Sequence, residues 1–245
     1  MKAVCASDCG SVVGTADHFE LETITRAIPD ELSAPVGVIF DMDGVLVDSE
    51  PLHKEAKVLA LAELGIVLPD KFYEDYKGST DDTVMRVIAA AHPVTDGDAL
   101  LRRKHEMFES LEHMLAAIPG AADFVRWTKA RYRIALATSA TPRNRAAALD
   151  LLGLQSAFEV VVDADDFERP KPDPEVFQVA MKSLQLSPTH CWIIEDSLNG
   201  VKAAKAAGCV TAGLTSTFSR RLLEDAGADI VVDSFDELRS MLEGK

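Results

Sequence analysis

Cations are the first shortage in this chain. Its 245 residues carry 25 Lys and Arg against 40 Asp and Glu, a formal charge of −15. Nucleic acid is held through its phosphates by Lys and Arg, so this balance argues against a nucleic-acid partner. A small anionic ligand stays possible where a local group of cations overrides the global field. Cysteine is scarce too, at 4 residues. Cys191 and Cys209 lie in apolar runs and read as small buried hydrophobes, while Cys5 and Cys9 lack a second pair to complete a zinc site. No Cys has an Arg six residues further on, which excludes thiol-based phosphoryl chemistry of that pattern. No apolar run approaches the roughly 20 residues of a bilayer span. The N-terminus lacks the marks of a secretory signal, so the chain is expected in the cytoplasm and off the membrane. Walker-type GxxxxGK[ST] and strand-linked GxGxxG signatures are both missing, which removes the common nucleotide cradles.

What is present is a core-forming composition, 47% hydrophobic, in a chain long enough for one large domain and a smaller one. Residues 1–34 read as an N-terminal extension with a short helix near Leu21–Ala27. Beyond it, apolar runs alternate with helical patterns. Val36–Phe40, Ile134–Thr138, Glu159–Val162 and Cys191–Ile194 read as buried strands, with weaker runs at Cys209–Ala212 and Ile230–Val232. Runs apolar on both faces suit a parallel sheet covered by helices. Thr141-Pro142 and Asp173-Pro174 each supply a helix cap followed by Pro, and Gly153 and Gly208 supply stops. The alternation predicts a doubly wound α/β domain. Residues 50–117 break the rhythm with no convincing strand and three amphipathic helices, Leu52–Leu64, Asp81–Ala91 and Asp96–Leu115. The expected division is a core of residues 35–49 and 118–245 with a helical cap of residues 50–117. An insertion after the first strand sits over the edge where such sheets bind ligands, as a lid would.

The first strand runs into Asp41-Met42-Asp43-Gly44. Two carboxylates one residue apart past a strand end suit a nucleophile, Asp41, and a proton-handling partner, Asp43. A second acidic pair, Glu195-Asp196, follows Cys191–Ile194 in the same way. Oxygen donors without nearby Cys or His favour a hard cation, Mg²⁺ above all. Thr138 and Ser139 close another strand, and Lys171 stands between two prolines. A hydroxyl, an N–H group and a fixed ammonium suit the oxygens of a transferring phosphoryl group. Taken singly, each residue has a plainer reading: an Asp-Gly turn, a helix cap at Thr138 or Asp196-Ser197, a surface lysine. Their joint order is what points to chemistry.

With these residues in hand, the chain resembles the haloacid dehalogenase superfamily, in the branch of β-phosphoglucomutase and small sugar-phosphate phosphatases. The matching motifs are DMDGVLVD from Asp41 to Asp48, Thr138, Lys171 in RPKPDP, and EDSLNG from Glu195 to Gly200, over residues 36–240. The resemblance implies Asp41 as nucleophile, Asp43 as general acid/base, and Thr138, Ser139 and Lys171 around the phosphate. It implies Mg²⁺ on the Asp41 carboxylate, the Asp43 carbonyl and Asp196, with Glu195 direct or through water. Asp43 argues against dehalogenation, which needs no acid there.

The same site can pass the phosphoryl group to water or to a sugar hydroxyl. Ser49, His53, Lys77, Gly78 and Lys104 are the expected substrate-facing residues. His53, Lys104 and Lys77-Gly78 resemble positions of the mutase cap, although surface-helix residues would look the same. Asp81 stands where the mutases carry an Arg that holds a second phosphate. An Asp there repels such a group, which favours a phosphatase acting on a small phosphorylated metabolite; a phosphohexomutase is the alternative.

Overall fold

The computed structural model describes residue 32, residues 34–92 and residues 96–244. The helix expected near residues 21–27, Cys5, Cys9 and nearly all of the 1–34 extension lie outside the described residues. In chain order the elements are β1 (Gly37–Phe40), β2 (Val47–Asp48), α1 (Glu50–Ala62), α2 (Asp70–Asp75), α3 (Asp81–Ala91), α4 (Gly97–Leu111) and β3 (Ala116–Ala117). They continue with α5 (Ala121–Lys129), β4 (Arg133–Ala137), α6 (Pro142–Leu152), β5 (Val160–Val162), α7 (Glu175–Leu184) and β6 (Cys191–Glu195). Last come α8 (Leu198–Ala206), β7 (Val210–Leu214), α9 (Arg220–Ala226), β8 (Ile230–Val232) and α10 (Phe235–Glu243).

Six parallel strands form one sheet in the order β5-β4-β1-β6-β7-β8. Side chains alternate across it. Val38, Phe40, Ile134, Leu136, Trp192 and Ile194 pack on one face, with α5, α6 and α10. Ile39, Ala135, Ala137, Cys191 and Ile193 pack on the other, with α7 and α8. Two covered faces explain the unbroken apolar runs. The chain winds outward from β1 to β4 and β5, then crosses back to β6 on β1's other side. That reversal makes the β1–β6 boundary the switch point, where the carboxyl ends of neighbouring strands open a crevice.

Local signals set the helix ends. Thr141 caps α6 by accepting from the Asn144 N–H, and Gly153 ends it in the left-handed region at φ 62°. Asp173 departs from expectation. Pro174 occupies the cap position of α7, and the Asp173 carboxylate accepts from the Glu175 N–H from one residue outside. α8 starts at Leu198 because Ser197 caps it by accepting from the Gly200 N–H.

Among the described residues, four α-helices stand between β2 and β3. α1, α3 and α4 share a small core of Ala60, Leu61, Val84, Met85, Ile88 and Leu100. α4 stops at Leu111, short of the expected Leu115, and a 3₁₀ turn follows over Glu112–Met114. The strand-free reading of residues 50–117 needs one correction, because the two-residue strands β2 and β3 pair antiparallel where the chain leaves the core and returns. Two residues cannot show an alternation, so no sequence pattern marks them.

Candidate active site

Asp41 is the first residue past β1, and its N–H donates to the Ile194 carbonyl of β6 at 3.0 Å. This extension of the ladder sets Asp41 beside Glu195. Beyond it the backbone folds into a tight loop, in which the N–H groups of Leu46 and Val47 donate to the Met42 carbonyl. That loop carries Asp43 back over the strand end, where its Oδ1 accepts from the Ser49 hydroxyl at 2.6 Å.

Lys171 joins the two strand ends. Its Nζ donates to Asp41 Oδ1 at 2.8 Å and to Glu195 Oε1 at 2.6 Å. The other Glu195 oxygen accepts from the Asp196 N–H, the Ser197 N–H and the Ser197 hydroxyl at 2.9–3.0 Å. Glu195 is therefore fully engaged. Asp196 is not: its Oδ1 is buried with no hydrogen-bond partner among the described residues. Glycines make room for both acids. A Cβ on Gly44 would lie 1.8 Å from Asp196 Oδ2, and one on Gly200 would lie 1.8 Å from Glu195 Oε1.

Electrostatics follow from the crowding. Burial first, with Glu195 and Asp43, pushes Asp41 up to about 7 against the downward pull of Lys171. Burial, then Glu195 and Asp41, raise Asp196 well above the usual carboxylate range. Burial alone would lower Lys171, but Asp41 and Glu195 outweigh it and keep the ammonium protonated. Three carboxylates with ligand oxygens within 4.8 Å of one another share this single ammonium. Carboxyl groups that resist ionising together, an orphaned carboxylate oxygen and an all-oxygen donor set fit a hard divalent cation.

A cavity of about 840 Å³ opens above this cluster, within the range of small-molecule sites. Asp41, Asp43, Lys171 and Asp196 form its floor, and helices of the insertion form its roof. Ser139 lines it as well. Thr138 is fully buried at the end of β4, where its hydroxyl accepts from the Ala140 N–H at 3.0 Å.

On the roof, His53 stacks on Phe108 with centroids 4.3 Å apart, and its Nδ1 lies 2.7 Å from Lys104 Nζ. An ammonium only donates, so His53 Nδ1 accepts. Burial, then Lys104, holds His53 well below its ordinary pKa and keeps it neutral. Lys104 also donates to Asp81, and Lys57 reaches the second Asp81 oxygen at 3.1 Å. Burial would raise Asp81, but the two lysines hold it ionised, below the usual range. Lys77 and Gly78 line the cavity too, but Lys77 Nζ donates to the Thr217 carbonyl at 2.9 Å and the Gly78 carbonyl accepts from Asn199 at 3.1 Å.

Sequence reasoning missed Lys57 and the segment Thr215–Phe218. Lys57 carried no signal, since nothing in a helix pattern shows which lysine faces a distant carboxylate. The hydroxyl-rich run Thr215-Ser216-Thr217 after an apolar strand was a usable one, because every strand end on this edge of a parallel sheet meets the crevice.

Comparison with known proteins agrees with this geometry. Residues 38–214 match the family described as haloacid dehalogenase-like hydrolase. The phosphorylated carbohydrates phosphatase of Thermotoga maritima is 33% identical over 174 residues, covering 70% of this chain and 81% of that protein. Protein SUPPRESSOR OF QUENCHING 1, chloroplastic, of Arabidopsis thaliana is 32% identical over 216 residues; the match takes in 85% of this chain but spans only 20% of that protein's length. Among solved structures, CbbY of Rhodobacter sphaeroides in complex with phosphate superposes with a TM-score of 0.71 at 29% identity, covering 83% of this chain and 96% of that one. No helix among the described residues is long and apolar enough to cross a membrane.

Proposed function

This chain belongs to the haloacid dehalogenase-like hydrolases, and on that premise we propose that it is a Mg²⁺-dependent phosphatase of a small phosphomonoester, working through an aspartyl-phosphate on Asp41. The observation that carries the reading is Lys171, whose ammonium holds one oxygen of Asp41 and leaves the other for attack on phosphorus. As the new O–P bond forms, the bond from phosphorus to the leaving oxygen breaks, and Asp43 gives that oxygen its proton. Burial raises Asp43 above the ordinary carboxylate range, which suits a group that must carry a proton at the start. Asp43 then takes a proton from water, the water oxygen attacks phosphorus, and the bond to Asp41 breaks. Inorganic phosphate leaves and Asp41 is restored.

Asp41, Asp196 and the Asp43 carbonyl are the groups that would hold Mg²⁺, with Glu195 acting through Lys171 and the Asp196 N–H. Bound there, the cation supplies positive charge to the nonbridging phosphoryl oxygens. Ser139 at the end of β4 is the protein group set to meet the same oxygens, with Thr138 holding the turn beneath it. The helical insertion, residues 50–117, would close over the leaving group as a cap.

Asp81 and its lysines favour a monophosphate. Lys104 and Lys57 are the roof cations closest to Asp81, and both are paired with it. A substrate's second phosphate would meet a carboxylate with its counter-charges already engaged. A phosphohexomutase, which handles a sugar bisphosphate, is disfavoured for this reason.

The deciding experiment is phosphate release across sugar phosphates, phosphoglycolate, nucleotides and flavin mononucleotide, with Mg²⁺ and with EDTA. Mg²⁺-dependent release from one class is expected. Turnover of β-glucose 1-phosphate to glucose 6-phosphate in the presence of glucose 1,6-bisphosphate, without phosphate release, would make the mutase the right answer.

A further inference from the structure

We propose that Thr217 is a positioning residue through which closure of the helical insertion orients the Asp196 carboxylate. Its hydroxyl meets the Asp196 carboxylate at Gly44, where an added Cβ would stand 1.8 Å from Asp196 Oδ2 and 2.8 Å from Thr217 Oγ1, and it is placed to donate to that carboxylate. Its carbonyl accepts from Lys77 Nζ, on the loop between α2 and α3, at 2.9 Å. A single residue therefore touches the acidic cluster on one side and the insertion on the other. This inference rests on the cation reading of the preceding section.

The residues beside Thr217 reinforce the link. The Ser216 hydroxyl donates to the carbonyl of Gly44, the glycine whose missing Cβ makes space for Asp196. The Phe218 ring lies against Gly78, where an added Cβ would come within 3.0 Å of Phe218 Cζ. Lys77 Nζ stands 5.6 Å from the centre of the same ring. Asn199, in the first turn of α8 just past Asp196, donates to the Gly78 carbonyl at 3.1 Å. These contacts bind the 77–78 loop to the two core segments that place Asp196.

The bonds from Lys77 to Thr217 and from Asn199 to Gly78 are hydrogen bonds that water can replace at small cost, and the Phe218 contacts are a single ring face, so the latch can open. Opening removes Lys77 from the Thr217 carbonyl, and the peptide plane carrying that carbonyl is then free to turn. Because the hydroxyl sits on the same residue, the Asp196 carboxylate loses its orienting donor, and its Oδ1 has no partner among the described residues to hold it. Linkage is reciprocal: if closure orients Asp196 for a cation, filling the cluster favours closure by the same factor.

The test is Mg²⁺ binding by calorimetry on the full chain, without substrate. Lys77→Met and Thr217→Ala are expected to weaken Mg²⁺ binding by about 5-fold or more. Thr217→Ser and the control Lys71→Met, on the exposed side of α2, are expected to bind as wild type does. The double variant Lys77→Met/Thr217→Ala is expected to lose less than the sum, since both act through one link. Unchanged affinity in Lys77→Met, with wild type binding normally, would overturn the latch and leave the phosphatase reading standing. A wild-type chain that binds no Mg²⁺ would overturn both.

Discussion

Gly44 lies so close beneath Asp196 that a Cβ on it would stand 1.8 Å from Asp196 Oδ2, at a backbone φ of +73°. Two demands meet at one position. Left-handed backbone costs an ordinary residue about 1–2 kcal/mol, and the approach to Asp196 leaves no room for a side chain. Gly65 has nearly the same φ, +70°, with nothing within 4 Å of its added Cβ. Gly44→Ala should therefore lower both stability and activity, with kcat/KM falling about 100-fold as Asp196 is displaced. Gly65→Ala should cost stability alone. Urea unfolding beside steady-state kinetics separates the two, and equal activity loss in both variants would contradict the explanation.

Asp41→Asn removes the attacking carboxylate from a cluster already rich in negative charge. Activity should fall by at least about 1,000-fold. The melting temperature in EDTA should hold or rise, because one buried like charge has gone. A variant that keeps full activity would refute Asp41 as the nucleophile.

Lys171→Met leaves buried carboxylates without their ammonium. Breaking a buried pair costs about 3–5 kcal/mol, but the acids can recover part of this by taking up protons. Without metal, the loss should be larger at pH 8 than at pH 6. Denaturant unfolding at the two pH values gives the answer.

Asp81→Asn frees Lys104 and Lys57 within the roof of the cavity. A sugar bisphosphate should then inhibit about 10-fold more tightly, the order expected from one unit charge roughly 10 Å away at an effective dielectric constant of about 20. No change in the inhibition constant would show that Asp81 does not read the second phosphate.

His53 provides the pH test. Its pKa is lowered in the folded protein, by burial first and then by Lys104, with Asp81 opposing and Lys57 and His105 adding to the decrease. Below about pH 6.5 the unfolded chain binds a proton at this position that the folded chain refuses. Stability from His53 is thus present above that pH and lost as pH falls. Asp41 and Asp196, whose values are raised, act in the opposite sense. The informative quantity is the difference between wild type and His53→Gln: the variant should be relatively more stable at pH 5.5 than at pH 7.5.

Several features of the site were legible because they are local. Asp41 and Asp43 follow a strand that is apolar on both faces, and Glu195-Asp196 follow another. In a parallel sheet this placement alone sends them to the same edge. Thr141 and Gly153 set the ends of α6 by backbone chemistry that needs no partner. The Asp173 cap was misplaced by one residue because Pro174 can itself take the cap position. β2 and β3 were invisible because their pairing depends on where a distant segment returns.

The order of residues along the chain determined the sheet, the sequence of strand ends and the carboxylates they carry, since hydrophobic period and turn chemistry act over a few residues. Tertiary structure decided the partners. Lys171 reaches Asp41 across 130 residues, and Lys77 reaches Thr217 across 140. Asp81, which by itself would only repel an anion, acquires Lys104 and Lys57 from two other helices. Charge compensation inside a fold depends on distances of a few ångströms between segments far apart in sequence, and only the packed chain sets those.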